Sequence, residues 1–137
     1  MKSTMKRLVM LILLALFTFN QVSAQNNIID DISLGFANSD QQTIAKYLGN
    51  KVEINLLDLS GVYSKAQAEM VLKDFFAKYE VQSFQLFNKN NANGEPSKFA
   101  IGNLNTRNGN FRIFFLLKQL EGAYIIQEMR FQAQPSR

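Results

Sequence analysis

Three residue types are missing from this chain: histidine, cysteine and tryptophan. Without histidine, the sequence lacks the commonest general base, the usual serine and cysteine triads, and most transition-metal sites. Without cysteine, it has no thiol nucleophile, no disulfide framework and no residue to carry the lipid of a bacterial lipoprotein. It also has no glycine-rich dinucleotide loop, phosphate loop or EF-hand spacing. We therefore expect no cofactor and no metal, and any catalysis would depend on carboxylates, tyrosines and lysines.

The first 24 residues have the three-part pattern of a secretory signal peptide. Basic Met1–Arg7 precedes an apolar run, Leu8–Phe19, and the small residues of Val22–Ala24 form a cleavage site. The run of about twelve residues is shorter than the roughly 20 that a membrane-spanning helix needs. We interpret residues 1–24 as a cleaved signal peptide and expect a periplasmic or secreted protein. The alternatives are an uncleaved anchor and a hydrophobic core helix.

Cleavage after Ala24 would leave residues 25–137, which is the length of one domain. Lys2, Lys6 and Arg7 would leave with the signal, so most of the net charge of +4 would disappear. A nearly neutral domain with scattered charges lacks the basic footprint of a nucleic-acid-binding protein. We expect no nucleic-acid partner and no stable membrane anchor after cleavage.

Hydrophobic periodicity and turn residues predict an α+β domain. The predicted helices are Asn27–Asn38, a short helix that begins after Ser39-Asp40 and ends at Gly49-Asn50, and Ser64–Tyr79. The predicted strands are Lys51–Asp58, Ser83–Lys89, Lys98–Thr106, Phe111–Leu120 and Ala123–Ala133. Turns are predicted at Leu59–Gly61, Asn93-Gly94, Asn108-Gly109 and Glu121-Gly122. This order favours helices packed on a strongly curved, mainly antiparallel sheet that wraps around the long helix.

The strand that contains Phe111–Leu117 is apolar on both faces from Ile113 onward. One face would pack on the long helix. The other, which carries Phe114 and Leu116, would contact a second subunit, another helix or an apolar ligand. The alternative is a central strand covered by the two N-terminal helices.

Few side chains are candidates for chemistry. Asp58, at the end of the first strand, and Glu128 are candidate bases, with Arg130 beside Glu128 on the last strand. We expect Glu128 and Arg130 to share a face with Tyr124 and Ile126. In the alternative interpretation, Asp58 bonds its own turn and Glu128 pairs with Arg130 on a solvated face.

Two tyrosines are candidates for a ligand or interface role. Tyr63 precedes the helix cap at Ser64, and Tyr124 lies on the last strand. Tyr63 would otherwise pack as a hydrophobic staple of the helix.

Several stretches are similar to a family of exported proteins, domain of unknown function 4783. They are Leu57–Ala68, Leu72–Phe76, Ala100–Gly102, Gly109–Ile113 and Tyr124–Arg130. The order of elements resembles the cystatin-like cone of nuclear transport factor 2. The resemblance implies that fold for nearly the whole mature chain, but it carries no catalytic residue. The wider fold includes dimeric binding modules, and also steroid isomerases and polyketide cyclases, which hold Asp, Tyr or His in the cone.

We therefore expect a non-catalytic binding domain. It would bind a small apolar ligand or a protein partner in the cone or on the sheet, and it would form a homodimer through the sheet. The alternative is a small isomerase, cyclase or hydrolase that uses Asp58 or Glu128 as a pocket carboxylate.

Overall fold

The computed structural model describes residues 2–16, 27–90 and 94–135. Its first helix, α1 (Lys2–Leu16), covers the basic residues and much of the apolar run of the predicted signal, and the side chains of residues 2–14 are exposed. The predicted cleavage site Val22–Ala24 and part of the predicted turn at Asn93-Gly94 lie outside the described residues. No helix in the described residues is long and apolar enough to cross a membrane.

The described residues from 27 onward form helices packed on a six-stranded sheet. The strand order is β2-β1-β6-β5-β4-β3, and every neighbouring pair is antiparallel except the parallel pair β1–β6. The predicted α+β class, with a curved and mainly antiparallel sheet, is confirmed. The elements are α2 (Ile28–Ala37), α3 (Gln41–Ala45), β1 (Leu48–Leu56), β2 (Leu59–Ser64), α4 (Lys65–Lys78), β3 (Val81–Asn90), β4 (Ser97–Thr106), β5 (Gly109–Leu120) and β6 (Ala123–Gln134).

The starts of the three helices are fixed by side-chain caps. The Asn27 side chain accepts a hydrogen bond from the Ile29 N–H, and Asp40 accepts one from the Thr43 N–H. The hydroxyl of Thr43 also donates to Asp40, and these bonds lower the pKa of that carboxyl below its ordinary value. Ser64 and Gln67 form the predicted capping box at the start of α4.

The segment between α3 and α4 differs from the prediction. Gly49-Asn50 does not end a helix, because β1 already begins at Leu48, and Leu59–Gly61 is not a turn but the start of β2. The actual turn is Leu57-Asp58, where Leu57 has a φ of 49°. A leucine rarely adopts this left-handed conformation, so the local sequence carried no sign of the turn.

A β-bulge in β6 also overturns a prediction. Leu116 pairs with Glu128 and Leu117 with Ile126, which leaves Gln127 as an extra residue. The extra residue shifts the in-and-out alternation of side chains along β6. Ile126 and Met129 are therefore both buried in the core, although they are three residues apart, while Glu128 and Arg130 lie on the other face. The expectation that Tyr124 and Ile126 share a face with Glu128 and Arg130 was therefore wrong.

A partly buried hydrogen bond joins α2 to Tyr47, the residue just before β1. The Tyr47 hydroxyl donates to Asp31 Oδ2 at 2.6 Å. This bond, together with burial, raises the pKa of Tyr47 from 10.0 to about 12. The backbone carbonyl of Tyr47 also accepts the N–H of Ile126, so the same residue links the helix to β6.

Replacing Tyr47 with Phe should lower the free energy of unfolding by about 1–2 kcal/mol at neutral pH, because Asp31 loses its charged hydrogen bond. The pKa of Tyr47 is raised in the folded state, so the contribution is complete below pH 10.0 and is lost as the pH rises through about 12. Urea unfolding of the wild type and of Tyr47→Phe across this range measures the difference. Tyr63→Phe is the control, because the Tyr63 hydroxyl makes no hydrogen bond within the described residues. A gap between the curves that did not narrow at high pH would contradict the assignment.

Candidate functional site

Aromatic rings fill the space between the sheet and the helices. Phe36 on α2 packs against Phe76 on α4, and against Phe84, Phe115 and Phe131 on the sheet. The ring centroids lie 5.3–6.2 Å from that of Phe36. Offset and edge-on arrangements of this kind are the favoured aromatic geometries. The rings therefore occupy the space in which a ligand of the cone would lie.

A glycine lets one of these rings approach the sheet. Gly102 on β4 is buried beneath the ring of Phe84. A Cβ at this position would overlap the Phe84 ring and crowd the carbonyl oxygen of Gln85. The absence of a side chain at Gly102 is thus part of how the interior is packed.

The opposite face of the sheet carries a second apolar cluster, which we call the outer patch: Phe99, Ile101, Phe114 and Leu116. Phe99 is the cross-strand neighbour of Leu116, and Ile101 is that of Phe114. The rings of Phe99 and Phe114 stack with centroids 6.2 Å apart. All four side chains are only half-buried.

No helix of the described domain covers the outer patch. α2, α3 and α4 bury Phe36, Ile44 and Leu72 in the core on the other face. The alternative prediction, in which the two N-terminal helices cover the strand that contains Phe114, does not match this arrangement. An apolar cluster at the centre of an uncovered sheet face is typical of an interaction surface.

Two arginines border the outer patch and lie over aromatic rings in or beside it. Arg130 Nε donates to Glu128 Oε1 at 2.5 Å, and the guanidinium carbon of Arg130 lies 4.5 Å from the ring centroid of Phe114. Arg112 lies in the same way over exposed Phe87, at 5.1 Å. The Arg130–Glu128 contact is the ion pair that the alternative interpretation of Glu128 predicted, and it lies on the outer face of the sheet.

Asp58 lies in a different part of the molecule. It is exposed in the turn between β1 and β2 and borders an open surface groove of about 380 Å³ that Val71, Phe75 and Tyr79 also line. No ion pair or side-chain hydrogen bond joins it to another described residue. The structure does not bring Asp58 together with Glu128.

The two candidate tyrosines are not part of the outer patch. Tyr63 lies in β2 opposite Val52 and packs against the core. Tyr124 also packs against the core, donates to the Glu95 carbonyl at 2.7 Å, and carries the Lys98 ammonium 4.3 Å from its ring centroid. Of the predicted interface residues, the structure brings together only Phe114 and Leu116.

Sequence reasoning missed Phe99 and Ile101, which complete the outer patch, and Arg112, which borders it. A signal was present in β4, where Phe99, Ala100 and Ile101 are consecutive apolar residues. Such a run indicates a strand that is apolar on both faces, as in β5.

Comparison with solved structures identifies the class of fold. An NTF2-like protein of Shewanella baltica has a TM-score of 0.57 and 12% identity, and the match covers 80% of this chain and 90% of that one. A putative ketosteroid isomerase of Kribbella flavida has a TM-score of 0.59 and 12% identity, covering 80% of this chain and 77% of that one. At this identity the likeness shows the fold alone, which is NTF2-like.

The family is more specific. The family model DUF4783, a domain of unknown function, matches residues 29–132, and the chain belongs to this family. A DUF4783 protein of Bacteroides uniformis is 29% identical with a TM-score of 0.76, and the match covers 80% of this chain and 100% of that one. One of Bacteroides ovatus is also 29% identical, with a TM-score of 0.72 and coverage of 77% and 94%. No curated protein matches the chain.

Replacing Phe36 with Ala should lower the free energy of unfolding by about 3–5 kcal/mol, because the ring has four aromatic neighbours that cannot all close the gap. Chemical denaturation measures this loss. Leu34→Ala is the control, since Leu34 is on the same helix but is 59% exposed, and it should change stability by less than about 0.5 kcal/mol. Equal effects at the two positions would show that the interior is not tightly packed.

Proposed function

We propose that this protein is an exported, non-catalytic interaction domain that forms a homodimer through the outer patch. One observation carries the proposal: four apolar side chains on β4 and β5 are left uncovered on one face of the sheet, whereas the other face is filled. Uncovered aromatic and aliphatic clusters bordered by arginine have the composition of protein interface cores. Two sheets can pack face to face at about 10 Å through such side chains.

The charges around the outer patch favour a second copy as the partner. Glu53 and Glu128 lie beside each other on β1 and β6, and Arg112 and Arg130 lie on the same face of β5 and β6. A two-fold dimer presents the same surface twice, so a surface of one sign would repel itself. Here carboxylates and cations both lie on one face, with Lys51 and Lys118 among the cations, so a second copy can place its carboxylates against the cations of the first.

The geometry supports the enzyme alternative less well than it supports an interaction domain. That hypothesis requires a carboxylate that points into an apolar pocket. Glu128 is paired with Arg130 on the outer face, and Asp58 is exposed in a turn. The likeness to a putative ketosteroid isomerase is one of fold, and fold does not carry activity.

A small apolar ligand in the cone is also less well supported than a protein partner. Phe36 and the four rings around it fill the interior. The groove beside Asp58 is open to solvent and is bordered by charged Asp74 and Lys78. Buried ligand sites are usually enclosed and largely apolar.

Export is the second part of the proposal. It is supported by the basic and apolar pattern of the first 19 residues and by the exposure of the described α1 side chains, which leaves this helix free of the core. The family model also begins at residue 29, beyond the proposed signal.

The mature protein should elute as a dimer in size-exclusion chromatography with light scattering, and Leu116→Lys should make it a monomer. A lysine at this position would bury an unpaired charge in the interface, which is strongly unfavourable. In the monomer Leu116 is only half-buried, so the lysine ammonium can reach water and the fold should be kept; Glu128 across the strand pair is already paired with Arg130.

Met70→Lys is the matched control, because Met70 is 52% exposed on α4, on the other side of the sheet. It should leave the dimer intact, and circular dichroism should show that both variants fold. A wild-type monomer at high concentration would contradict the dimer, as would a Leu116→Lys protein that still dimerises.

When the full chain is expressed in a Gram-negative bacterium, the product in the periplasm or medium should begin at Gln25. Mass spectrometry of the intact protein measures this. Ala24→Arg should block cleavage, because the cleavage site requires a small residue, whereas Ala24→Ser should not. A wild-type product that retains Lys2 would contradict the signal peptide.

A further inference from the structure

A small pocket lies at one border of the outer patch. It has a volume of about 170 Å³ and is lined by Ile101, Arg112, Phe114, Arg130 and Gln132. Its chemistry is asymmetric: the aliphatic and aromatic side chains are apolar, whereas two guanidiniums and one amide supply hydrogen-bond donors.

Arg112 contributes a positive charge without a protein counterion. Within residues 2–16, 27–90 and 94–135, neither an ion pair nor a hydrogen bond joins its guanidinium to an acceptor. Arg130 contacts Glu128 through Nε alone, so its two terminal nitrogens keep their donors. The pocket therefore holds more donors than the protein itself satisfies.

Both guanidiniums are held in place by aromatic rings. Arg112 lies over Phe87 at 5.1 Å and Arg130 over Phe114 at 4.5 Å, and the Glu128 bond adds a second restraint to Arg130. A guanidinium stacked on a ring keeps its planar edge free for hydrogen bonding. A ligand would then lose less side-chain entropy from the protein on binding.

The size and the donors together select a chemical group. Pockets for whole small molecules usually measure about 300–1,000 Å³, whereas this one measures about 170 Å³ and admits only a small group. The two guanidiniums and the amide can donate hydrogen bonds to the oxygens of a planar carboxylate. The apolar side chains can pack against the carbon chain that bears the carboxylate. We infer that the Arg112–Arg130 pocket binds a carboxylate, whether free or on a side chain of a docked second copy of this chain.

The test is an NMR titration of the mature protein with sodium acetate against sodium chloride at constant ionic strength, following the Nε–Hε signals of the arginines. Acetate should shift the Arg112 and Arg130 signals saturably, and chloride should not. Arg112→Gln should weaken acetate binding by about tenfold, because a hydrogen bond to a charged group is lost. Lys118→Gln is the matched control: Lys118 is an exposed cation on the same strand that does not line the pocket, and its replacement should leave the affinity unchanged.

Two results would overturn the inference: no saturable shift at Arg112 and Arg130, or equal weakening by Arg112→Gln and Lys118→Gln. A shift of the same size at Arg107, which is paired with Glu80 away from the pocket, would show general anion screening and would also overturn it.

Repeating the titration at low and high protein concentration distinguishes the source of the carboxylate. If a docked copy supplies it, acetate should bind more weakly where the dimer is populated, and acetate should dissociate the dimer. If the ligand is free, the affinity should not depend on protein concentration. Because the pocket is complete within one chain, acetate binding by a monomer would support this inference even where light scattering contradicts the dimer.

Discussion

The packing of Phe36 against rings from both the sheet and α4 is the contact on which the rest of the structure depends. It joins the first helix of the domain to the last strands, so elements far apart in sequence share one core. It also decides what the fold can be used for. In an NTF2-like cone the concave interior is the natural place for a ligand, and here side chains occupy it. The dimer proposed above accordingly places recognition on a surface, where the other face of the same sheet offers an apolar cluster.

The two faces of β5 illustrate this division. Ile113, Phe115 and Leu117 are fully buried against the helices, whereas Phe114 and Leu116, which alternate with them, are only half-buried. Aromatic and aliphatic residues on the outer face are removed only in part from water in a monomer, so their burial there is incomplete. In the proposed dimer, the second copy would remove this surface from water. The arginines at the border suit such a role, because their planar groups can stack on rings and still bind acceptors.

Much of the fold was predictable from sequence, and the exceptions have physical causes. The Ser64–Gln67 capping box and the strand patterns of β4 and β5 are local signals, and these predicted their elements correctly. β2 was missed for two reasons. Leu57 takes up a left-handed conformation that its residue type does not favour, and Ser60-Gly61, which are typical turn residues, lie inside the strand. The pairing of β1 with β6 is long-range, and no local pattern encodes it.

The candidate site was predictable only in part, for a similar reason. Phe114 and Leu116 stood out because one strand is apolar on both sides. Their neighbours Phe99 and Ile101 join them through the register between β4 and β5, which a single strand does not reveal. Tyr63 and Tyr124 were attractive as amphipathic residues, yet both lie on the core side of the sheet. The chemistry of the side chains identified candidate interface residues, and the register between the strands determined which of them are neighbours.

The bulge at Gln127 affects the bend of β6 but not which residues of β6 pair with β5. If Gln127 were absent, Ile126, Glu128 and Met129 would still alternate between core, outer face and core, and each would keep its partner on β5. What would change is the bend, because the extra residue is what increases the local twist of the strand. Curvature in this protein is therefore a property that one inserted residue can adjust without redesigning the core. Removing Gln127 would therefore reduce the twist of β6 at this point while the same side chains stay on each face.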